Sequence, residues 1–389
     1  MGIIFFAYFS FLASSLIGYF ANYKQTLLGA DQKNYVVTAY FQTATIIKTL
    51  IQMASAYYTG SYYLWVAIEL TFGIIYSFIL NWKINQVYPW LRSEVRQGKQ
   101  LFKKYPEVMK YTKQLFVHKL GGVVQNQTTP FLTYAFVSLQ TVAFYGNYTI
   151  ITDKLSLLIS NFLESTGAGV GNLIAEGGKE KIKKVFWELL SIRFWIAGTL
   201  IFLLYELLPS FIVLWIGNEY LLSDTVLVLL LLSFFISITR GVTDQFVFGY
   251  GLFYDTWAPI AESVIYIVIA IIGGIFYGLE GILCGGIISR FVIIGIWKPY
   301  FLFTKGFQIS VWKYWGNWIK YLVLIAIPFF TLERSIDYFN LQIYILNGWV
   351  HWVLFATSIT IISSILYYIV LYIGTKGMRY FTERIIYKK

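Results

Sequence analysis

The sequence predicts an all-α membrane protein that crosses the bilayer many times, and three observations support this prediction. The 389 residues are 58% hydrophobic and only 13% charged, whereas a soluble domain has about 25% charged residues. Apolar stretches of about 20 residues, the length that a helix needs to cross a bilayer, recur along the chain. These stretches are longer than barrel strands and do not alternate apolar and polar residues, so helices are expected.

Eleven apolar segments are predicted as membrane spans, with a division of the chain that follows from the connections between them. The segments are 3–20, 35–58, 62–83, 115–137, 141–163, 185–205, 225–247, 257–276, 281–303, 314–332 and 348–373. The predicted division has four parts: a partial N-terminal lobe of three spans (1–83), a basic cytoplasmic linker (84–114), a C-terminal lobe of six spans (115–303), and two further spans with a basic tail (304–389).

The positions of Lys and Arg predict the orientation of the chain in the membrane. Cytoplasmic loops carry an excess of these residues, and here they concentrate in 84–114, 179–184, 305–313 and 376–389. The connection after 205 has Glu206, Glu219 and Asp224 but no basic residue. We therefore expect a cytoplasmic C-terminus in a bacterial inner membrane. The net charge of +11 reflects these loops, and no nucleic-acid partner is expected.

This orientation places the N-terminus outside, which indicates that an odd number of helices precedes the chain. A short internal similarity between residues 25–29 and 245–249, each running from Gln to Gly at the end of a span, suggests that three are missing. In addition, one cysteine and two histidines are too few for a disulfide framework or a Cys/His metal cluster. We expect no metal and no cofactor.

Polar side chains in the predicted span 35–58 share one helical face and mark a candidate substrate cavity. Gln42, Lys48 and Gln52 belong to this face, and Lys48 lies near the middle of the span. Glu69 in 62–83 lies at a comparable depth and is a candidate partner. A charge at bilayer depth costs about 2.5–3.5 kcal/mol and often marks a functional site. A purely structural Lys–Glu pair is the alternative.

A second stripe of polar residues lies in the predicted span 141–163. Asn147, Lys154 and Asn161 recur at intervals of seven, almost two helical turns. Asp153 points about 100° away from Lys154, so the two cannot simply pair on one face. We favour Lys154 as a site for an anionic substrate, with Asp153 as a further cavity candidate.

Two other groups of polar residues are candidates for the transport path. Asn126 precedes Pro130, which removes a backbone donor and kinks the helix. The carbonyls that the kink frees, together with the side-chain amides beside them, could bind an ion or a sugar. A kink that is simply packed against neighbouring helices is the alternative. Four charged residues are gate candidates, with mutual neutralisation as the alternative: Arg240, Asp244, Glu262 and Arg290. The cationic positions suit a phosphate-bearing headgroup.

Several stretches together resemble a known family. They are 142–151, 155–175, 214–217, 240–259, 278–281 and 28–35. The chain resembles the polysaccharide flippase branch (O-antigen or capsule) of the multidrug/oligosaccharidyl-lipid/polysaccharide exporter superfamily. The resemblance implies two six-helix lobes plus two terminal helices, so that this chain would lack about three N-terminal helices. Lys154 lies on the second helix of its lobe, and because of this position the resemblance also supports a cavity role for Lys154.

The resemblance further implies alternating access and transport of undecaprenyl-diphosphate-linked repeat units for surface polysaccharide or lipopolysaccharide. The implied partners are the lipid-linked oligosaccharide, the lipid bilayer, a polysaccharide polymerase and a chain-length regulator. Members of the family often have an acidic residue near the positions of Thr128 and Thr129. Its absence here leaves ion coupling at that site in doubt.

Three alternatives remain open at this point. A drug/cation antiporter of the same superfamily would use carboxylates such as Glu69 and Asp153 for a cationic substrate. A polysaccharide polymerase or ligase would need a catalytic outer loop, but the predicted outer loops are short and contain one basic residue, Arg334, so we expect no enzyme. A truncated, non-functional chain is the third alternative.

Overall fold

The computed structural model describes residues 2–31, 33–91, 98–164, 166–341 and 348–387. Within these ranges the secondary structure is helical, with no strand. The fold is therefore that of an all-α membrane protein. The chain divides into two compact units, Met1–Lys104 and Tyr105–Lys389, and this division falls within the linker predicted at 84–114. Residues 92–97 of that linker lie outside the described part.

Unit 1 contains five helices in its described residues: α1 (Gly2–Ala21), α2 (Gln25–Ala30), α3 (Asn34–Thr59), α4 (Tyr62–Val87) and α5 (Gly98–Lys104). The turn between α3 and α4 is tight. Gly60 ends α3 in the left-handed conformation (φ 61°), and the Ser61 side chain then accepts a hydrogen bond from the Leu64 amide at the start of α4. Two long antiparallel helices are thus joined with almost no loop.

Unit 2 contains the remaining helices. They are α6 (Pro106–Phe136), α7 (Leu139–Glu164), α8 (Gly167–Glu176), α9 (Lys179–Trp215), α10 (Asp224–Gly249), α11 (Trp257–Arg290), α12 (Lys298–Phe301), α13 (Trp312–Tyr338), α14 (Trp349–Gly374) and α15 (Lys376–Tyr387). Two π-helical stretches, Phe291–Trp297 and Leu302–Phe307, flank α12 and join it to α11 without a break.

Every predicted span lies in a helical part of the chain, and the span 281–303 continues from α11 through Phe291–Trp297 and α12. The predicted number of spans is not confirmed. In the described residues, six helices are long and apolar enough to cross a membrane: Gly2–Ala21, Tyr62–Val87, Lys179–Trp215, Asp224–Gly249, Trp257–Phe307 and Trp349–Gly374. The prediction that Glu206 lies in an outer loop is wrong. Helix α9 continues past Pro209 to Trp215, because a run of apolar residues beyond Glu206 packs into the core.

Helix α11 is a hairpin of two antiparallel arms. At Gly278 the backbone leaves the helical conformation (φ 59°, ψ −132°). The arms then pack so closely that a Cβ on Gly273 or Gly281 would overlap the other residue's carbonyl. A similar close approach occurs between Gly285 and Ala270. The two arms correspond to the predicted spans 257–276 and 281–303.

The main core of unit 2 surrounds α9 and α10 and is rich in aromatic rings. Phe186 is fully buried, and its ring makes edge-on contacts with Phe246, Phe303 and Phe307. Such pairs add about 0.5–1.5 kcal/mol each beyond the area that they bury. This core fixes α9 and α10 against each other, and these helices carry the charged residues described next.

Helix α15 packs lengthwise on α9. Met378 is fully buried, and Gly377 lies against the Trp187 carbonyl, where a side chain would not fit. Nη2 of Arg384 lies 2.7 Å from Oε2 of Glu188 on α9, whose side chain is 2% exposed. The ion pair therefore neutralises a buried carboxylate near the predicted cytoplasmic end of α9.

Candidate functional site

A polar cavity of about 850 Å³ lies within unit 2, between α6, α9, α10 and the first arm of α11. Its walls carry more basic than acidic side chains. The basic residues are Lys119, Arg193, Arg240 and Lys298, and the acidic ones are Asp244 and Glu262. The lining thus has four cations and two carboxylates, not counting His118, although Asp255 outside the lining neutralises Lys298. This composition favours an anionic ligand over a cationic one.

Gln125 on α6 bridges an acid and a base that come from the two arms of α11. Its Nε2 donates to Oε1 of Glu262 at 2.8 Å, and its Oε1 accepts from Nε of Arg290 at 3.2 Å. A further contact, 3.3 Å, joins Nε2 to Oγ of Ser289. The amide therefore makes one hydrogen bond with each charged group and links α6 to both arms of the hairpin.

Arg240 and Asp244 form an ion pair one turn apart on α10, with Nε 2.8 Å from Oδ2. This is the local neutralisation weighed for two of the gate candidates. The Arg240 side chain nevertheless remains 37% exposed. It has this exposure because it lies between two cavities and belongs to the wall of both.

The second of these cavities is apolar and has a volume of about 400 Å³. Side chains of α9, α10, α13 and the α11 region line it, among them Leu232, Phe235, Trp318 and Phe329. Arg240 is the only charged residue among its described lining residues. Ile294 is also common to both cavities. The Arg240 guanidinium group thus lies between a polar and an apolar cavity, an arrangement that suits an amphipathic molecule.

A buried aspartate organises the loop between α10 and α11. Oδ2 of Asp255 accepts from Nζ of Lys298 at 2.8 Å and from Nε1 of Trp297 at 3.0 Å. Oδ1 lies 3.3 Å from Nε2 of His118. Burial on its own raises the pKa of the Asp255 carboxyl, but the contacts with His118, Lys298 and Trp297 together lower this pKa below its ordinary value. Asp255 is therefore ionised and holds Lys298 and His118 at the edge of the polar cavity.

In unit 1 the structure brings together three of the four candidates from α3 and α4. Nζ of Lys48 lies 2.6 Å from Oε1 of Glu69. Gln52 donates from Nε2 to Oε2 of Glu69 and to the Trp65 carbonyl, each at 3.1 Å. Gln42 is partly buried on the same helix. The proposed partnership of Lys48 and Glu69 is thus seen directly.

The candidates on α7 do not join the polar cavity. Among the described residues of α7, Ser160 lines it, whereas Asn147, Asp153, Lys154 and Asn161 do not. Asp153 and Lys154 are exposed on the surface of unit 2. A cavity role for Lys154 stays a prediction. The side chain of Asn126 lies outside the described part of the chain.

The sequence analysis missed Arg193, His118, Asp255 and Lys298 as site residues. For Arg193 a signal was present, because a charge near the middle of the predicted span 185–205 is expensive unless it has a function. For the other three no local signal exists, since their partners lie far along the chain and only the fold brings them together. No family model, no curated protein and no solved structure matches this chain.

Proposed function

We propose that this protein is a flippase that moves a lipid-linked oligosaccharide, a polyprenyl-diphosphate carrying a sugar repeat unit, across the bacterial inner membrane by alternating access. The C-terminus faces the cytoplasm, the product serves surface polysaccharide synthesis, and the chain performs no chemical conversion of its own.

The observation that carries this proposal is the position of Arg240 between a polar and an apolar cavity. A lipid-linked oligosaccharide has an apolar chain on one side of a diphosphate and sugars on the other. A guanidinium group binds phosphate oxygens through two parallel hydrogen bonds. The three parts of such a molecule therefore correspond to the apolar cavity, Arg240 and the polar cavity.

The charge of the polar cavity favours this cargo over a cationic drug. Both carboxylates in its wall already have partners, Asp244 in Arg240 and Glu262 in Gln125. The uncharged hydrogen-bonding groups, such as Gln125, Ser160, Ser237 and Gln245, suit the hydroxyls of a sugar. An exporter of cations would need carboxylates that are open to the substrate.

The depth of Arg240 is also consistent with a translocation site. It is the seventeenth residue of the 26-residue helix α10, so it lies about 24 Å from the start of the helix and about 14 Å from its end. A cation at this depth costs several kcal/mol unless a cavity or a partner compensates it. Here both do.

The direct test is a vesicle assay with purified protein. A fluorescent polyprenyl-diphosphate N-acetylglucosamine is placed in the inner leaflet, and its appearance outside is followed by reaction with an impermeant quencher. Arg240→Gln should slow translocation at least about tenfold, the effect of about 1.4 kcal/mol. Arg334→Gln, a matched change at an exposed arginine on α13, should have no effect. Failure of the wild-type protein to exceed protein-free vesicles, together with proton-driven ethidium export, would replace this proposal with the antiporter.

The proposed orientation has a separate test. Cys284 is the single cysteine, so a Cys284→Ser background allows one new cysteine at a time. Lys110→Cys on α6 and Asn218→Cys after α9 both occupy exposed positions. An impermeant maleimide added to intact cells should label the cysteine at 218 and spare the one at 110. The reverse pattern would overturn the orientation.

A further inference from the structure

We propose that Phe248 on α10, supported by Phe253, is a stacking platform for a sugar ring in the polar cavity. The ligand class is a pyranose whose ring has one flat face made of C–H groups. The inference rests on the proposed function and deepens it, because it names a specificity-determining residue for the sugar part of the same cargo. It can nevertheless be tested with a soluble sugar, without any lipid.

Phe248 is an exposed aromatic residue in the wall of a polar cavity. Exposed aromatic side chains of membrane proteins are typical of the lipid–water interface. Phe248 is 49% exposed, yet it lines the polar cavity, and Phe253 is the other phenylalanine among the described lining residues. Apolar surface that faces a hydrophilic space is covered favourably by a ligand that is apolar on one side. A sugar has such a side together with hydroxyls for the polar groups around it.

The turn at the end of α10 brings Phe253 back to Phe248. Gly251 has φ 66°, in the left-handed region that glycine adopts readily. The amide of Leu252 donates to the carbonyl oxygen of Val247 at 2.9 Å, a hydrogen bond that is typical of a helix ending in this way. The chain therefore reverses directly after α10, and the residue that follows the turn can contact the last turn of the helix.

The ring contacts restrict Phe248 without burying it. The centroids of the Phe248 and Phe253 rings lie 5.5 Å apart, with 36° between the ring planes. Tyr111 on α6 packs edge-on against Phe253, with 5.9 Å between the ring centroids. Phe253 is thus packed between two elements of unit 2 and supports Phe248, about half of which stays exposed. A ring that is already ordered loses less entropy when a ligand stacks on it.

Phe248 continues a row of cavity residues along α10. Arg240, Asp244 and Phe248 follow one another at intervals of four residues, so they share one face of the helix, and all three line the polar cavity. Phe248 lies about 12 Å beyond Arg240 along the helix axis. The apolar cavity borders α10 on the other side, from Leu232 to Arg240. The order apolar cavity, Arg240, Phe248 therefore matches the order lipid chain, diphosphate, sugars in the cargo.

Asp244 gives this platform a polar neighbour. It lies one helical turn before Phe248, and its Oδ2 binds Nε of Arg240 at 2.8 Å. A carboxylate has about four lone-pair sites, so Asp244 can accept a hydrogen bond from a sugar hydroxyl while it keeps this ion pair. A flat apolar ring beside a hydrogen-bond acceptor suits a sugar better than it suits a purely apolar or a purely anionic ligand.

The experiment uses the full-length protein in nanodiscs of phosphatidylcholine and saturation-transfer NMR. The probe is methyl β-chitobioside, a soluble disaccharide of N-acetylglucosamine. We expect saturation to pass from the protein to the disaccharide, most strongly to the protons on one face of a pyranose ring. Sorbitol, an open-chain polyol with similar hydroxyls but no ring face, should receive no more saturation than it does with protein-free nanodiscs.

Three variants test the ring itself, with affinity measured from the dependence of the signal on sugar concentration. Phe248→Leu should weaken disaccharide binding about fivefold, because leucine keeps the apolar character but has no flat face. Phe248→Tyr keeps the ring and should bind like the wild type. Phe253→Leu removes only the supporting ring and should weaken binding less than Phe248→Leu does.

Phe276→Leu is the matched control. Phe276 on α11 is 74% exposed and does not belong to the described lining of either cavity, so the same substitution there should leave disaccharide binding unchanged. Thermal unfolding of every variant separates loss of the site from loss of the fold. A Phe248→Leu variant that melts earlier but still binds the disaccharide normally would show that Phe248 only packs against Phe253, and would overturn the inference.

Two further results would also overturn the inference: wild-type protein that transfers no saturation to the disaccharide, and wild-type protein that transfers as much to sorbitol. The vesicle assay distinguishes this failure from failure of the proposed function. If disaccharide binding depends on Phe248 but no lipid is translocated, the sugar site stands and the flippase does not. If lipid is translocated and Phe248→Leu leaves both readouts unchanged, the flippase stands and the stacking platform does not.

Discussion

The two units both place an acid, an amide and a base within apolar helices, but they arrange them differently. In unit 1 Lys48 and Glu69 touch directly, and Gln52 supports the acid from one side. In unit 2 the amide of Gln125 lies between Glu262 and Arg290, and no direct ion pair joins these two among the described residues. The first arrangement is a closed neutral pair. The second depends on one uncharged side chain and borders a cavity.

The same contrast holds for the loops at the predicted cytoplasmic side. Asp31 in unit 1 is exposed, and hydrogen bonds from Lys33 and Tyr88 lower the pKa of its carboxyl. Asp255 in unit 2 is buried beneath the contacts described above. Each aspartate links its loop to the end of a later helix. In these two links, the charged carboxylate is buried in unit 2 and exposed in unit 1. Polar groups are therefore structurally more critical in unit 2 than in unit 1.

The largest effect is expected from Asp255→Asn. This change leaves Lys298 buried without its counter-ion, and breaking a buried pair costs about 3–5 kcal/mol. Asp31→Asn, the matched change in unit 1, should alter stability little, because water and salt screen the exposed pair. Denaturant unfolding of the detergent-solubilised variants compares the two. Equal effects would contradict the contrast between the units.

The stabilisation from Asp255 should also depend on pH. Its pKa in the folded protein lies below the ordinary value of 3.8, so the stabilisation is present above pH 3.8 and is lost as the pH falls through the folded value. The stability difference between wild type and Asp255→Asn should therefore shrink as the pH falls below 3.8. A difference that grows as the pH falls would show that folding raises the pKa of this carboxyl instead of lowering it.

A smaller effect, about 3 kcal/mol, is expected from Gln125→Leu. It removes the bridge and leaves both Glu262 and Arg290 without a satisfied hydrogen bond, each at about 1–3 kcal/mol. Gln52→Leu removes a similar amide in unit 1 but leaves the direct Lys48–Glu69 pair, so about 1 kcal/mol is expected. Denaturant unfolding and the vesicle assay measure both variants. A larger loss for Gln52→Leu would reverse the comparison.

Replacing the unit 1 pair should cost about 2 kcal/mol when one partner is removed and much less when both are. The side chains of Lys48 and Glu69 are 20% and 25% exposed, so the penalty for Lys48→Met lies below that of a fully buried pair. Lys48→Met with Glu69→Leu should restore most of the stability, measured as a double-mutant cycle. Transport by this double variant decides between the two roles: retained transport assigns the pair to structure, and lost transport assigns it to the substrate.

The smallest single effect is expected at one of the two helix hairpins, whose turns differ in backbone conformation. Gly60 has φ 61° and ψ 8°, the left-handed region that asparagine also adopts, so Gly60→Asn should cost only a few tenths of a kcal/mol. Gly278 has φ 59° and ψ −132°, which is close to a region that only glycine occupies, so Gly278→Asn should cost about 1–3 kcal/mol. Thermal unfolding compares the two variants, and an equal or larger cost for Gly60→Asn would contradict the prediction.

Local pattern was enough to predict the helices but not the contacts of the site. Runs of apolar residues were enough to place every predicted span in a helical part of the chain. The pairing of Lys48 with Glu69 could be anticipated because both lie at similar depth in consecutive spans. The bridge made by Gln125 could not, since its partners lie 137 and 165 residues away. The position of a residue along a span predicts its depth in the bilayer. Which neighbouring helix its side chain faces is decided by the packing of the core, which local sequence does not show.

The ion pair between Glu188 and Arg384 has a consequence for biosynthesis. Its two members are separated by roughly 200 residues, and at about 5–20 residues per second the ribosome needs roughly 10–40 s to make that length. Throughout this interval α9 has already emerged with its carboxylate, while the arginine that neutralises it in the finished protein does not yet exist. Stable insertion of α9 must therefore begin before its counter-ion is translated.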